Sequence, residues 1–70
     1  MISIPKNRRE EIRVRLREHR GERYVDVRTF YMTERGETRP SPKGLAVRAD
    51  LADALADAIR AVARQERIDE

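Results

Sequence analysis

The stretch "EIRVRLREHR", residues 11 to 20, alternates apolar and charged side chains, with Ile12, Val14 and Leu16 set against Arg13, Arg15 and Arg17. A period of two sends the first set to one face of a β-strand and the second to the other. The chain must therefore build a sheet with an apolar face and a cationic face, and it must cover the apolar one. Material for that cover is scarce. There are 70 residues, no cysteine, and Tyr24, Phe30 and Tyr31 as the whole aromatic set. A chain of this length buries a modest share of its surface and is marginal as a lone monomer, and no disulfide can staple it. With 41% charged residues, self-association is the direct way to complete a core, so a homodimer is expected.

Charge is unevenly placed. Residues 1–48 hold 13 Lys/Arg against 7 Asp/Glu, whereas residues 49–70 hold 3 Arg against 6 Asp/Glu. This places a basic working surface in the first part and a structural element in the second. All but Lys6 and Lys43 of the basic residues are arginine, whose planar fork suits phosphate and stacks on bases. A genome-wide preference for arginine codons accounts for the ratio equally well, but not for the positions. No apolar run reaches the length of a membrane span and the N-terminus lacks the apolar stretch of a signal peptide. A cytoplasmic protein is expected, nucleoid-associated if bacterial, with no membrane partner.

Read along the chain, residues 1–8 form a basic arm without a clear period, residues 9–66 one domain, and residues 67–70 a frayed tail. The first strand covers residues 11–18, and Gly21 in "HRGE" supplies the positive φ of a hairpin turn. "RYVDVRTFYM" is β-branched and aromatic and makes the second strand. Its pattern slips: Val25 and Val27 share a face, and strict alternation would then bury Thr29 and expose Phe30. A β-bulge at Arg28 to Phe30 would return Phe30 to the core and put Arg28 and Tyr31 together on the outer face. A regular ladder through residue 30 would contradict it. Beyond the "TERGE" turn, Pro40 and Pro42 confine "ETRPSPKG" to an edge or loop, and "LAVRA" is a fourth short strand.

The period then changes to about 3.6. Leu51, Leu55, Ala58, Ile59 and Val62 form one stripe of a helix, with Asp50 as its cap and Asp53 in its first turn. Strands followed by one helix imply an α+β fold, a curved four-stranded antiparallel sheet with one face covered by the C-terminal helix (β-β-β-β-α). Alanines at 52, 54, 56, 58, 61 and 63 keep that helix slim. They suit a helix-mediated dimer seam, and they equally reflect alanine's helix propensity.

The cationic face carries Arg13, Arg15 and Arg17, with Arg28 and Tyr31 from the second strand, His19 and Arg20 at the hairpin, and Arg39 and Lys43 around the prolines. Mixed charge is common on a solvated strand face. Here, however, the basic residues recur on neighbouring strands with flat side chains among them, which is how single strands are held without base readout. The only helix is acidic and apolar, so reading of a duplex major groove is not expected. Neither is catalysis: His19 is the sole histidine, no cysteine or Gly-rich phosphate loop is present, and no metal or cofactor is called for. Asp26 is assigned a structural task, orienting Arg28 or pairing across the sheet.

In order, the chain presents a strand and basic-Gly turn (Arg20-Gly21), "VDVR" (residues 25–28), an aromatic pair (Phe30, Tyr31), Gly36-Glu37, Arg39-Pro40, and Lys43-Gly44-Leu45 before an apolar strand. This order, over Arg9 to Ile59, resembles the transcriptional coactivator family of positive cofactor four, including its short bacterial members. The resemblance implies a β-β-β-β-α homodimer that holds single-stranded or unwound DNA on a concave sheet surface with little sequence preference. Carried over by position, the stacking side chains fall at His19 and Tyr31 and the basic contacts at Arg20, Arg28, Arg39 and Lys43. RNA or the transcription machinery are the other partners open, and a protein-interaction dimer with an incidental basic face is the competing reading.

Overall fold

The computed structural model describes residues 1–69. Four strands, β1 (Ile2–Pro5), β2 (Glu10–His19), β3 (Glu22–Met32) and β4 (Thr38–Arg48), precede a 3-10 turn (Ala49–Leu51) and the helix α1 (Ala52–Ala63). The sheet is antiparallel in the order β1-β2-β3-β4. The expected four-stranded antiparallel sheet with a C-terminal helix is therefore present, but two strands differ from those read in the sequence.

The first is β1. Residues 2–5 do not form a loose arm; they pair with β2, Ile2 opposite Val14 and Ile4 opposite Ile12. Four residues are too few to display a period, yet they extend the apolar face by two isoleucines, and Pro5 ends an edge strand, where a missing donor costs least. The second is β4. The proline segment and "LAVR" are one strand, not two. It tolerates Pro40 and Pro42 because it is the other edge of the sheet.

Register explains the two faces. Leu16, Val25 and Val47 lie in one cross-strand row, and Val14, Val27 and Leu45 in the next. The β2–β3 hairpin closes through Arg20 (φ 52°) and Gly21 (φ 82°) between the pair His19 and Glu22. Two positive φ values are what a primed two-residue loop requires, because only that geometry matches the twist of the flanking strands.

The expected irregularity near Arg28 to Phe30 exists, but on the other strand. The β2–β3 ladder is regular from His19–Glu22 to Glu10–Tyr31. Between β3 and β4 the pairing jumps from Arg28–Gly44 to Phe30–Pro40, so residues 41 to 43 of β4 stand against Thr29 alone and the two extra residues belong to β4. β3 consequently keeps strict alternation: Phe30 lies on the face of Arg28 and Asp26, and Tyr31 on the face of Val27 and Thr29. The prolines are the physical reason, since each lacks the N–H that a regular ladder would use there. Gly44 is held by the close approach of the two strands, because a Cβ there would meet Val27 O at 2.5 Å and Arg28 Cα at 2.8 Å.

The helix does not cover the apolar face of its own chain. Leu16 is 56% exposed and Ile59 60%, with Leu45, Leu51 and Val62 also open. It is the 3-10 turn that rests on β3. Asp50 does not cap α1 either: it sits inside the 3-10 turn and accepts a hydrogen bond from Arg48 at 3.1 Å. The N-cap is Leu51, with no side-chain cap. Arg60, in the last turn, pairs with Asp57. Of the tail read as frayed, Glu70 lies outside the described residues, and residues 65–69 are not helical.

Candidate nucleic-acid interface

Register sets the basic face out in cross-strand rows. From the hairpin end they read Arg17–Tyr24–Arg48, Arg15–Asp26–Ala46, Arg13–Arg28–Gly44 and Glu11–Phe30–Pro40. Same-row neighbours on adjacent strands lie about 4.5–5.5 Å apart at Cβ, so the guanidiniums form a patch, as the alternation in β2 and the "VDVR" of β3 imply.

Asp26 organises that patch. It is 4% exposed and its carboxylate accepts from Arg15 Nη2 at 3.0 Å, and from Arg28 Nη2 at 3.0 Å and Nε at 3.2 Å. Both structural tasks assigned to Asp26 from sequence are present: it pairs across the sheet with Arg15 and orients Arg28. The Arg28 hydrogen bonds, opposed by desolvation and aided by Arg15, hold the Asp26 carboxyl below its ordinary value. Arg28 Nη1 also donates to Ser41 O at 3.1 Å, tying the irregular part of β4 down. Among the described residues Arg15 Nε is buried without a partner.

Phe30, 4% exposed, is the buried hydrophobic residue of the described chain, and it lies beneath arginines. The Arg13 and Arg15 guanidinium carbons stand 4.4 and 4.9 Å from its ring centroid, cation–π distances. Arg13 also donates to Glu11 at 2.9 Å. Among the described residues Arg17 has no ion pair, and it projects beside an open groove of about 690 Å³.

The groove brings together Arg15, Arg17, His19 and Arg28 of the sequence-predicted set. Against them it carries Asp26 and Glu18, so its charge is moderately positive. Arg13 shares a row with Arg28 but does not line the groove, and Arg20 stands at the hairpin tip. Three candidates lie elsewhere. Tyr31 pairs with Arg39 on the opposite face by register, with Tyr31 39% exposed and Arg39 donating to Glu37 at 2.8 Å. Lys43, in the irregular part of β4, borders a separate hollow with Lys6 and Leu45. The expected placing of Tyr31 beside Arg28 on one face is thus corrected, because the extra residues lie in β4. Sequence reasoning missed Tyr24, which lines the groove; counting back two residues from Asp26 would have found it.

The model of the family described as Transcriptional Coactivator p15 (PC4) matches residues 6–58. The chain belongs to the PC4 family. Among solved structures it is similar to a PC4 homologue from Burkholderia pseudomallei K96243. The orthorhombic form gives a TM-score of 0.85 at 28% identity, covering 93% of this chain and 88% of that one. The tetragonal form gives 0.84 at 28%, covering 91% and 94%. A bacteriophage T5 homologue of the eukaryotic coactivator PC4, implicated in recombination-dependent DNA replication, shares the fold at a TM-score of 0.63 and 22% identity, covering 86% and 67%. Comparison with curated proteins gives no match. The PC4 match spans β2, β3, β4 and the start of α1, and so includes the whole arginine patch. No helix among the described residues is long and apolar enough to cross a membrane.

Proposed function

We propose that this PC4-family chain binds single-stranded or unwound DNA on its arginine face, without sequence readout, and serves transcription or DNA maintenance in the cytoplasm. The observation that carries the reading is the convergence of Arg15, Arg17, Arg28 and His19 on one open groove. Guanidiniums take phosphate, and the patch offers no helix to enter a major groove. Affinity then comes from the backbone and from stacking. The reading calls on no catalytic group.

Anisotropy titrations with oligo-dT, a matched duplex and a matched RNA, each over a range of salt, test it. Tightest binding is expected for oligo-dT. Its log K should fall with log salt by about 0.7 per phosphate neutralised, hence a slope of about −2 to −3 for three or four contacts. Equal or tighter binding to the duplex defeats the proposal. Preference for RNA transfers it to the other nucleic acid, and no binding at low salt leaves the protein-interaction dimer.

The functional unit is a homodimer in this reading. Leu16, Leu45, Ile59 and Val62 are half open to water in one chain, and a second copy supplies matching apolar area. Sedimentation equilibrium should give a dimer for the native chain, and Ile59→Asp should shift it to monomer or to unfolded chain. A native monomer at micromolar concentration would overturn this part.

A further inference from the structure

We infer that Tyr24 is a base-stacking platform of the groove, and the inference rests on the nucleic-acid reading above. Of the three aromatic rings, Phe30 is covered by arginines and Tyr31 belongs by register to the other face. Tyr24 alone among them lines the groove.

Its surroundings suit that task. Arg17 and Arg48 are its cross-strand neighbours on either side, so a base on the ring has a guanidinium to the left and right for its flanking phosphates. Ala46, one row along on β4, is small and leaves room beside the ring. The phenol donates to Glu22 Oε2 at 3.1 Å, and that carboxylate raises the Tyr24 pKa. The phenol end of the ring is thereby held by Glu22 before any ligand arrives, which lowers the ordering cost of stacking. A part-buried tyrosine set between two arginines has no apolar partner in its own row to explain it.

The chain has two tyrosines and no tryptophan, so replacing one tyrosine leaves the other as the sole strong emitter. In Tyr31→Phe, Tyr24 is the sole emitter, and saturation with oligo-dT should quench it. In parallel, Tyr24→Ala should weaken oligo-dT binding about 5- to 150-fold with an unchanged salt slope. Tyr24→Phe should stay within about twofold, because the ring is kept. Tyr24→Leu, which retains apolar bulk without a ring, guards against a folding defect and should bind as weakly as Tyr24→Ala. Unquenched Tyr24 emission with the oligonucleotide demonstrably bound overturns the inference, as does a Tyr24→Leu protein that binds like the native one. Native protein that binds no oligonucleotide at low salt overturns the nucleic-acid reading and this inference with it. Binding that ignores Tyr24 overturns this inference alone.

Discussion

Replacing Asp26 with asparagine is expected to destabilise the fold by about 2–4 kcal/mol, because it leaves two guanidiniums over a buried site with no anion between them. The lower part of the range for broken buried pairs applies, since the Arg15 and Arg28 side chains are about a quarter exposed. For a 70-residue chain the total is about 4–10 kcal/mol, so the midpoint of thermal unfolding should drop by more than about 10 °C. A change below about 0.5 kcal/mol would contradict the role given to this carboxylate.

Acid should reveal the same group. The Asp26 pKa is lowered from 3.8, chiefly by hydrogen bonding to Arg28. A depressed carboxyl adds stability that is present above its unfolded value and disappears as pH falls through its folded value. The native protein should therefore lose stability below about pH 4, and Asp26→Asn should lack that portion of the loss. Glu10 and Glu11 are lowered too, by Asn7 and Arg13 respectively, so the difference between the two proteins, not the slope of either, isolates Asp26. On the nucleic-acid reading, whatever folded variant remains should show a steeper salt slope, because Arg15 and Arg28 are released from their internal acceptor.

Phe30→Ala should be at least as damaging, at about 3–5 kcal/mol, since it removes the buried hydrophobic side chain and the ring on which Arg13 and Arg15 lie. Phe30→Leu separates the two contributions: it keeps most of the volume and removes the π face, for about 0.5–2 kcal/mol per guanidinium. Chemical denaturation of both variants measures this. A leucine variant as stable as the native chain would show the arginines to be bystanders, and an alanine variant within about 1 kcal/mol would show the ring itself to be dispensable.

Much of this architecture was legible in the letters. Alternation from Ile12 to Arg17, the Arg20-Gly21 loop and the stripe from Leu51 to Val62 correspond to β2, the first hairpin and the helical end. Phe30 runs against the pattern for an instructive reason: an aromatic ring is expected in the apolar layer, but here it is buried beneath two guanidiniums. That assumption demanded a break in β3, where the prolines had instead placed it in β4. The helix over the sheet failed as an expectation within one chain because hydrophobic patterning marks a stripe as apolar without showing what lies against it. Of the candidate contacts on the alternating face, Arg15, Arg17, His19 and Arg28 came together, while Arg13, in the row of Arg28, stays off the groove lining. Lys43 lies within the irregular segment 41–43, whose pairing no period could set, and Arg39 falls on the opposite face beside Tyr31.

A sheet one layer thick has no interior to insulate its surfaces. Val27 and Arg28 are consecutive in β3, and their side chains leave opposite sides of the same peptide plane. Bending such a ribbon squeezes one side and stretches the other, so whatever flexes the aliphatic rows must also open or pinch the guanidinium rows above them.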